Sequence, residues 1–382
     1  MDASVFKQGF PGRLVPTIGG ASAFVPSPLP PTVDLNAIGA PMLAATQAIG
    51  ELKGACRRLR NPSILVRPLQ RREALTSSAM EGTFSDQDAL VLAERGIERA
   101  GDDATREVRN YVRALDQAVE TLKELPLCHR IIHDAHRMLL SGLSGGRGAQ
   151  KRPGEYKPDQ NWIGGRTISA ARFVPPPPKE ARECMDELER YLNRQPRDYP
   201  LLDLALVHYQ FETIHPFMDG NGRVGRMLIS LMAIESGLLD LPVLYVSPVM
   251  ERHKDEYIDL MLAVSTDGDW HSWIGFFLRC VKESCSETIA TIDRLIALQD
   301  RYRSSATASM RSTSAVTLVD YLFDQPAITV SDAEQVLGVT YPAARRTIEK
   351  LVELGILRQH PGAYPAVFLA RGVLDAAASP DD

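Results

Sequence analysis

A mainly α fold, with a small β-hairpin protruding from a helical body and a winged-helix domain near the C-terminal end, is what this 382-residue sequence predicts. Three observations carry it. From Asp34 onward apolar residues recur at helical spacing, as in Leu43, Ile49, Leu52 and Cys56, and again in Val108, Tyr111, Leu115 and Leu122. Short β-formers gather in residues 146–178, where Asn161, Trp162 and Ile163 stand among Gly and Pro, the composition of a hairpin. Beyond residue 314, VTLVDYLF, SDAEQVLGV and YPAARRTIEKLVELGIL read as three helices with Gly338 in a turn, followed by the apolar stretch AVFLA, which is winged-helix spacing.

In chain order, residues 1–33 are rich in Gly, Ser and Pro and are expected to run extended over the surface. A helix from Pro200 must end near Pro216, because proline cannot continue it. After Gly225, MLISLMAIESG is apolar on nearly every side and so predicts a central helix. An amphipathic stretch, residues 281–303, leads into the Ser/Thr/Ala-rich residues 304–314, read as a linker and domain boundary. The last residues, 376–382, are expected to fray. This length normally makes two or three domains, expected at 1–100, 101–300 and 311–375.

With 43 basic and 48 acidic residues the formal charge is −5, so no general positive field attracts nucleic acid or an anionic membrane. From Arg311 to Asp382, six basic residues face nine acidic ones, a local charge of −3. Five widely spaced cysteines without paired metal spacing suggest reduced, buried thiols in a cytoplasm. Neither a signal-peptide core nor a membrane-length apolar run is present in the sequence, so a soluble cytoplasmic protein is expected.

The densest chemistry lies in HPFMDGNGRVGR, residues 215–226. A chain that leaves a helix at Pro216, turns through Gly220, Asn221 and Gly222, and enters another helix exposes free N–H groups at a positive helix end. That is an anion nest. Glycine lets the backbone approach a phosphate, and Arg223 and Arg226, three apart, can reach further phosphate oxygens. Asp219 beside a phosphate nest is unfavourable unless a cation lies between, which points to Mg²⁺. His215 has the ordinary pKa of a general base for an incoming hydroxyl.

The segment resembles the Fic motif, HPF, any residue, Asp or Glu, GNGR, two residues and Arg, at every defined position. PSPLPP, GEYKPDQNWIGG and GDWHSWIGFFL also resemble Fic proteins with an additional N-terminal Fic-associated domain (1–100), a catalytic core (101–300) and a C-terminal winged helix. The resemblance implies a nucleotidyltransferase that moves AMP from ATP to Ser, Thr or Tyr hydroxyls of target proteins, itself included. It assigns His215 as base, Asp219 as metal ligand, Gly220 to Gly222 as the phosphate nest, and Arg223 and Arg226 as clamps. Val224 and Gly225 complete the ATP segment, and Asn161, Trp162 and Ile163 resemble the flap on which a target backbone pairs. Where related proteins often carry Asn near adenine, this sequence has His253, either an adenine contact or a surface histidine.

One acid stands in an unfavourable place. TSSAMEGTF sets Glu81 in what should be a helix's last turn, with Gly82 as its cap, against the helix dipole. Ser77-x-x-x-Glu81-Gly82 resembles the inhibitory-helix motif of Fic proteins that carry it N-terminal to the core. Glu81 would then reach into the ATP site and occupy Arg226, misaligning the nucleotide, with Ser77 steadying the helix. Two other functions stay in view: removal of AMP by water that Glu81 activates, and DNA binding through Arg345, Arg346 and Lys350 of the last long helix. Homodimerisation through the C-terminal domain is a further expectation.

Overall fold

The computed structural model describes residues 3–17, 20–57, 59, 62–98, 101–310 and 313–378. The fold is mostly helical. After strands β1 (Gly12–Pro16) and β2 (Ser22–Pro26) come helices α1 (Leu35–Arg57), α2 (Pro62–Met80), α3 (Gln87–Glu94), α4 (Asp103–Thr121) and α5 (His129–Leu139). Then follow α6 (Pro178–Leu192), α7 (Pro200–Ile214), α8 (Asn221–Glu235), α9 (Ser247–Arg252), α10 (Lys254–Asp267) and α11 (Trp270–Met310). The C-terminal part holds α12 (Thr313–Asp324), β3 (Ala327–Ile328), α13 (Val330–Leu337), α14 (Tyr341–Glu353), β4 (Arg358–Gln359), β5 (Phe368–Leu369) and α15 (Arg371–Ala377).

Helix α7 is buried from Leu201 to Ile214, and α8 from Asn221 to Ala233, so these two form the centre. Their apolar residues point in every direction because partners surround them, and in such a helix packing replaces amphipathicity as the stabilising term. Pro178 and Pro200 begin α6 and α7, where a missing N–H costs nothing. Buried Trp273 of α11 donates from Nε1 to Ala205 O of α7 at 3.0 Å, which fixes α11 against the centre.

Several expectations need correction. Residues 1–33 do not simply run extended over the surface: β1 pairs antiparallel with β2, and Ala23, Phe24 and Val25 are buried. Phe24 stacks near Phe6, Phe10 and Phe173, an aromatic cluster assembled from positions too scattered to register as periodicity. The hairpin expected at 146–178 is instead a loop held by one bridge, Ile163 to Phe173, since Gly and Pro interrupt any longer ladder. Leu43 is 71% exposed although its helical neighbours Ile49, Leu52 and Cys56 are buried.

Helix α8 starts at Asn221, before Gly225, so the whole GNGR segment belongs to its start. The stretch read as a linker is helical as far as Met310, because Ser, Thr and Ala tolerate a helix that packs on one side, here through buried Ala306. Residues 311–312 and the tail 379–382 lie outside the described residues. The three helices expected near the C-terminal end are present, Gly338 caps α13 with positive φ, and β3, β5 and β4 form a small antiparallel sheet in that order. This part rests on α2 and α3. Buried Arg71 of α2 grips Glu94 with three hydrogen bonds of 2.7 to 3.0 Å and donates to Asp324 O of α12 at 2.8 Å. No helix among the described residues is long and apolar enough to cross a membrane. The five cysteines are unpaired, and Cys56, Cys184, Cys280 and Cys285 are buried.

Candidate active site

The site is built at the joint between α7 and α8. Pro216 ends α7, and His215 takes the left-handed conformation as its cap, φ 48° and ψ 59°. Its Nδ1 lies 3.2 Å from Glu212 O, and a carbonyl can only accept, so Nδ1 carries the proton and Nε2 is left as the acceptor. Burial, with the Lys157 ammonium nearby, lowers the His215 pKa to about 4, so the ring is neutral at physiological pH. Gly220, at φ 76°, turns the chain into α8, and no side chain caps the new helix. The first N–H groups of α8 are therefore presented at a positive helix end, as an anion nest requires.

Glu81 lies just beyond the end of α2, with Gly82 at φ 80° closing the turn. Its Oε1 accepts from Arg226 Nη2 at 2.8 Å. Arg226 also donates from Nε to Ser77 Oγ at 2.8 Å and from Nη2 to Ser77 O at 2.7 Å. Gly222 is needed here because a Cβ would overlap the Glu81 carboxylate, which lies directly on the start of α8. Burial pushes the Glu81 pKa up, but Arg226, then Arg223 and His215, hold it below the ordinary carboxylate value. The acid that opposed its own helix dipole is held by the opposite end of another helix. Burial also works against the charge of Arg226, yet Glu81 and Glu212 push its pKa above the ordinary arginine value.

Arg223 is fully buried. It ion-pairs with Glu107 of α4 and donates to Asp219 Oδ1 at 3.1 Å, and burial lowers its pKa to about 10. Asp219 Oδ1 also takes the N–H of Gly220 at 2.7 Å, while Oδ2 faces Lys151 Nζ at 3.8 Å. No group of three or more His, Cys, Asp or Glu among the described residues could form a metal cage. A single partly exposed carboxylate beside an anion nest fits Mg²⁺, which needs one or two carboxylates and takes its other ligands from phosphates and water.

A cavity of about 290 Å³ joins Glu81, His215, Gly222 and Arg226 to an apolar slot lined by Ile163, Phe173, Ile258, Met261 and Leu262. Of the residues singled out from sequence, the fold brings these four and Ile163 to the cavity wall. Ser77 reaches it through Arg226. His253 does not join them: its ring faces Glu283 at 3.8 Å, and α10 brings Lys254 and Tyr257 to the cavity instead. Val224 is core, and Gly225 is small because Glu212 of α7 lies where its Cβ would be. Asn221 holds the loop by accepting from Phe217 N at 2.8 Å and donating to Phe217 O at 2.9 Å. Trp162 is exposed, while the Asn161 side chain turns inward onto the carbonyls of His215 and Phe217.

Sequence reading missed Glu107 and Glu212. The latter has a legible signal, an acid in the last turn of a mostly apolar helix, against the helix dipole. Its carboxyl lines the cavity, and burial pushes its pKa up to about 8 against the pull of Arg226. Glu107 carries no such signal, since its role depends on α4 packing near α8.

Residues 40–120 match the pattern of the Fic/DOC family N-terminal region, and residues 126–233 that of the Fic/DOC family itself. Residues 126–233 are a Fic/DOC-family domain, preceded by a Fic/DOC N-terminal region. Among curated relatives, "Protein adenylyltransferase Fic" of Drosophila yakuba is 26% identical over 251 residues, covering 63% of this chain and 45% of the relative. The Aedes aegypti protein of the same name is 29% identical over 211 residues, covering 55% of this chain and 36% of the relative. This chain thus spans less than half the length of those Fic relatives. A crystal structure of a Fic family protein from Desulfovibrio desulfuricans G20 superposes with a TM-score of 0.58 at 21% identity, over 90% of this chain and 98% of that one. A Fic domain containing signaling protein from Bacteroides thetaiotaomicron has a TM-score of 0.50 at 20% identity, over 64% and 97%. These two likenesses concern the Fic fold alone.

Proposed function

We propose that the chain is an autoinhibited protein adenylyltransferase, which transfers AMP from ATP to a Ser, Thr or Tyr hydroxyl of a target protein and of itself. The observation that carries this reading is the single cavity shared by His215, Arg226 and the uncapped start of α8, with the Glu81 carboxylate seated on Gly222 and Arg226. The names of the curated relatives support it over the portion they share with this chain.

In the proposed reaction the target oxygen bonds to the α-phosphorus, the bond to the β-phosphate oxygen breaks, and pyrophosphate departs. His215 Nε2 takes the hydroxyl proton, and the neutral ring is suited to accept it. The N–H groups at the start of α8 and the Arg226 guanidinium hold the phosphates. Mg²⁺, held by Asp219 together with the phosphates, would neutralise charge there. Glu81 competes with phosphate for Arg226 and for the space over Gly222, so the resting state is inhibited. The apolar slot has the size and lining for a nucleobase.

The deciding experiment is incubation of the protein with lysate and ATP labelled at the α- or the γ-phosphate. Label on protein from the α position alone supports AMP transfer, and label from the γ position alone refutes it. The reverse reaction remains a second reading, because Glu81 lines the same cavity as His215 and a carboxylate there could activate water. Release of AMP from a modified protein by the wild-type chain, lost in Glu81→Gly, would favour it. For the C-terminal part, 311–375, we infer a winged helix that docks a target or a second copy rather than DNA. Arg345 and Lys350 are already paired on α14 with Glu349 and Glu353, at 2.9 and 2.7 Å. Unchanged salt-dependent DNA binding on losing residues 311–382 supports that inference.

A further inference from the structure

Four consecutive carbonyls, from Ile214 at the end of α7 through Phe217 in the turn, are each bound from a segment outside the 215–226 motif. Lys157 Nζ donates to Ile214 O at 3.3 Å, and the Lys157 N–H to Pro216 O at 2.8 Å. Asn161 Nδ2 donates to both His215 O, at 3.0 Å, and Phe217 O, at 2.9 Å. Lys157 Nζ also donates to Asn161 Oδ1 at 2.7 Å, which fixes the amide's orientation because the ammonium has no acceptor to offer. Two residues further on, Ile163 pairs with Phe173 in both directions, at 2.9 and 3.1 Å, and lines the cavity.

His215 needs such a brace. It is one of two non-glycine residues among those described that hold a positive φ, and it is followed by proline. A side chain in the left-handed region stays there only where its surroundings enforce it. The N–H of His215 binds Phe211 O, which continues α7, but its own carbonyl is taken by Asn161.

We propose that Asn161, oriented by Lys157, is a positioning residue that holds His215 in its left-handed conformation, so that the placement of the base depends on the segment ending in the Ile163 bridge. Resting on the adenylyl-transfer reading, the proposal adds a physical link between the place where a target would dock and the group that takes its proton. Asn161 touches neither reactant. It acts through the backbone of His215, and a misplacement of about 1 Å in a reacting group costs on the order of 10²-fold.

The test uses the full chain in the Glu81→Gly background, with α-labelled ATP and one purified acceptor protein. Asn161→Asp keeps the size of the side chain but removes both donors. Its kcat for AMP transfer is expected to fall about 100-fold, while the KM for ATP and the affinity for a fluorescent ATP analogue stay within about twofold of the parent. Lys157→Met should fall in the same way, and Lys157→Arg, which keeps a donor, should recover most of the loss. Wild-type kcat in Asn161→Asp overturns the proposal, as does an equal loss of nucleotide binding, which would mean general damage to the fold. A crystal structure of Asn161→Asp reads the same point without any reaction. Residue 215 moved out of the left-handed region supports the proposal, and residue 215 retained there overturns it, even if Glu81→Gly transfers no AMP and the adenylyltransferase reading itself fails. If Asn161→Asp does not fold, the Lys157→Met and Lys157→Arg pair carries the same comparison.

Discussion

Replacing Glu81 with glycine separates the two roles that one carboxylate plays. In the resting structure Oε1 holds Arg226 Nη2 at 2.8 Å and overlies Gly222, so it blocks the phosphate site by charge and by volume. A charge-assisted contact of this kind is worth about 1.5 to 3 kcal/mol. Since 35% of the Glu81 side chain is exposed, solvent screening places it at the lower end, and the competent population should rise at least about tenfold. The guanidinium stays ordered after the change, because Ser77 still takes its Nε and Nη2. Glu81→Gly is therefore expected to label itself and other proteins from α-labelled ATP at least about tenfold faster than wild type. Adding Arg226→Ala should abolish the gain, because the freed arginine is what the gain depends on. The reasoning is refuted if the double variant transfers AMP as fast as Glu81→Gly, or if Glu81→Gly is slower than wild type while wild type releases AMP from a modified protein.

Three further outcomes are expected. His215→Ala should lower transfer by about 10²- to 10⁴-fold with ATP affinity nearly unchanged in a titration calorimeter, and wild-type rates would remove His215 as the base. Gly225→Ala puts a Cβ onto the Glu212 carboxyl and should destabilise the fold by about 1 to 3 kcal/mol in urea melts, with little change if α7 and α8 are not in close contact there. Stability should fall as pH drops from about 6.5 toward 4, because burial lowers the pKa of His136 and His215 to about 4 and of His208 to about 3. The unfolded chain binds more protons in that window, so each neutral histidine loses about 2 kcal/mol of its contribution between about pH 6.5 and 5. Glu212, raised to about 8, changes in the opposite sense and offsets about one of them. Thermal melts at about pH 7 and about pH 5 check the sign, and equal melting temperatures would contradict it.

Local chemistry alone made much of the site legible. Proline ends a helix wherever it falls, positive-φ turns favour glycine, and a helix start binds anions, so HPFMDGNGRVGR could be read as a base, a turn and a nest from twelve residues. The misplaced acid at Glu81 was legible for the same reason, since its conflict with the helix dipole is a property of its own segment. The helical frame followed from spacing, because periodicity records which face a helix buries.

What only the tertiary structure decided depends on distance through space. Glu107 meets Arg223 across more than a hundred residues of chain, and Arg226 finds Ser77 and Glu81 across a similar gap. Strands β1 and β2 pair because scattered phenylalanines cluster with Phe173, while the better-looking β segment at 146–178 spends its polar groups on the turn after α7. Residues 304–310 are helical because α11 has a partner to pack against, which their composition does not encode. His253 turns toward Glu283 because the break between α9 and α10 sets its direction, and one side chain's direction cannot be read from residue type. Local propensity belongs to a segment, whereas packing and charge pairing belong to pairs of segments that only folding brings together.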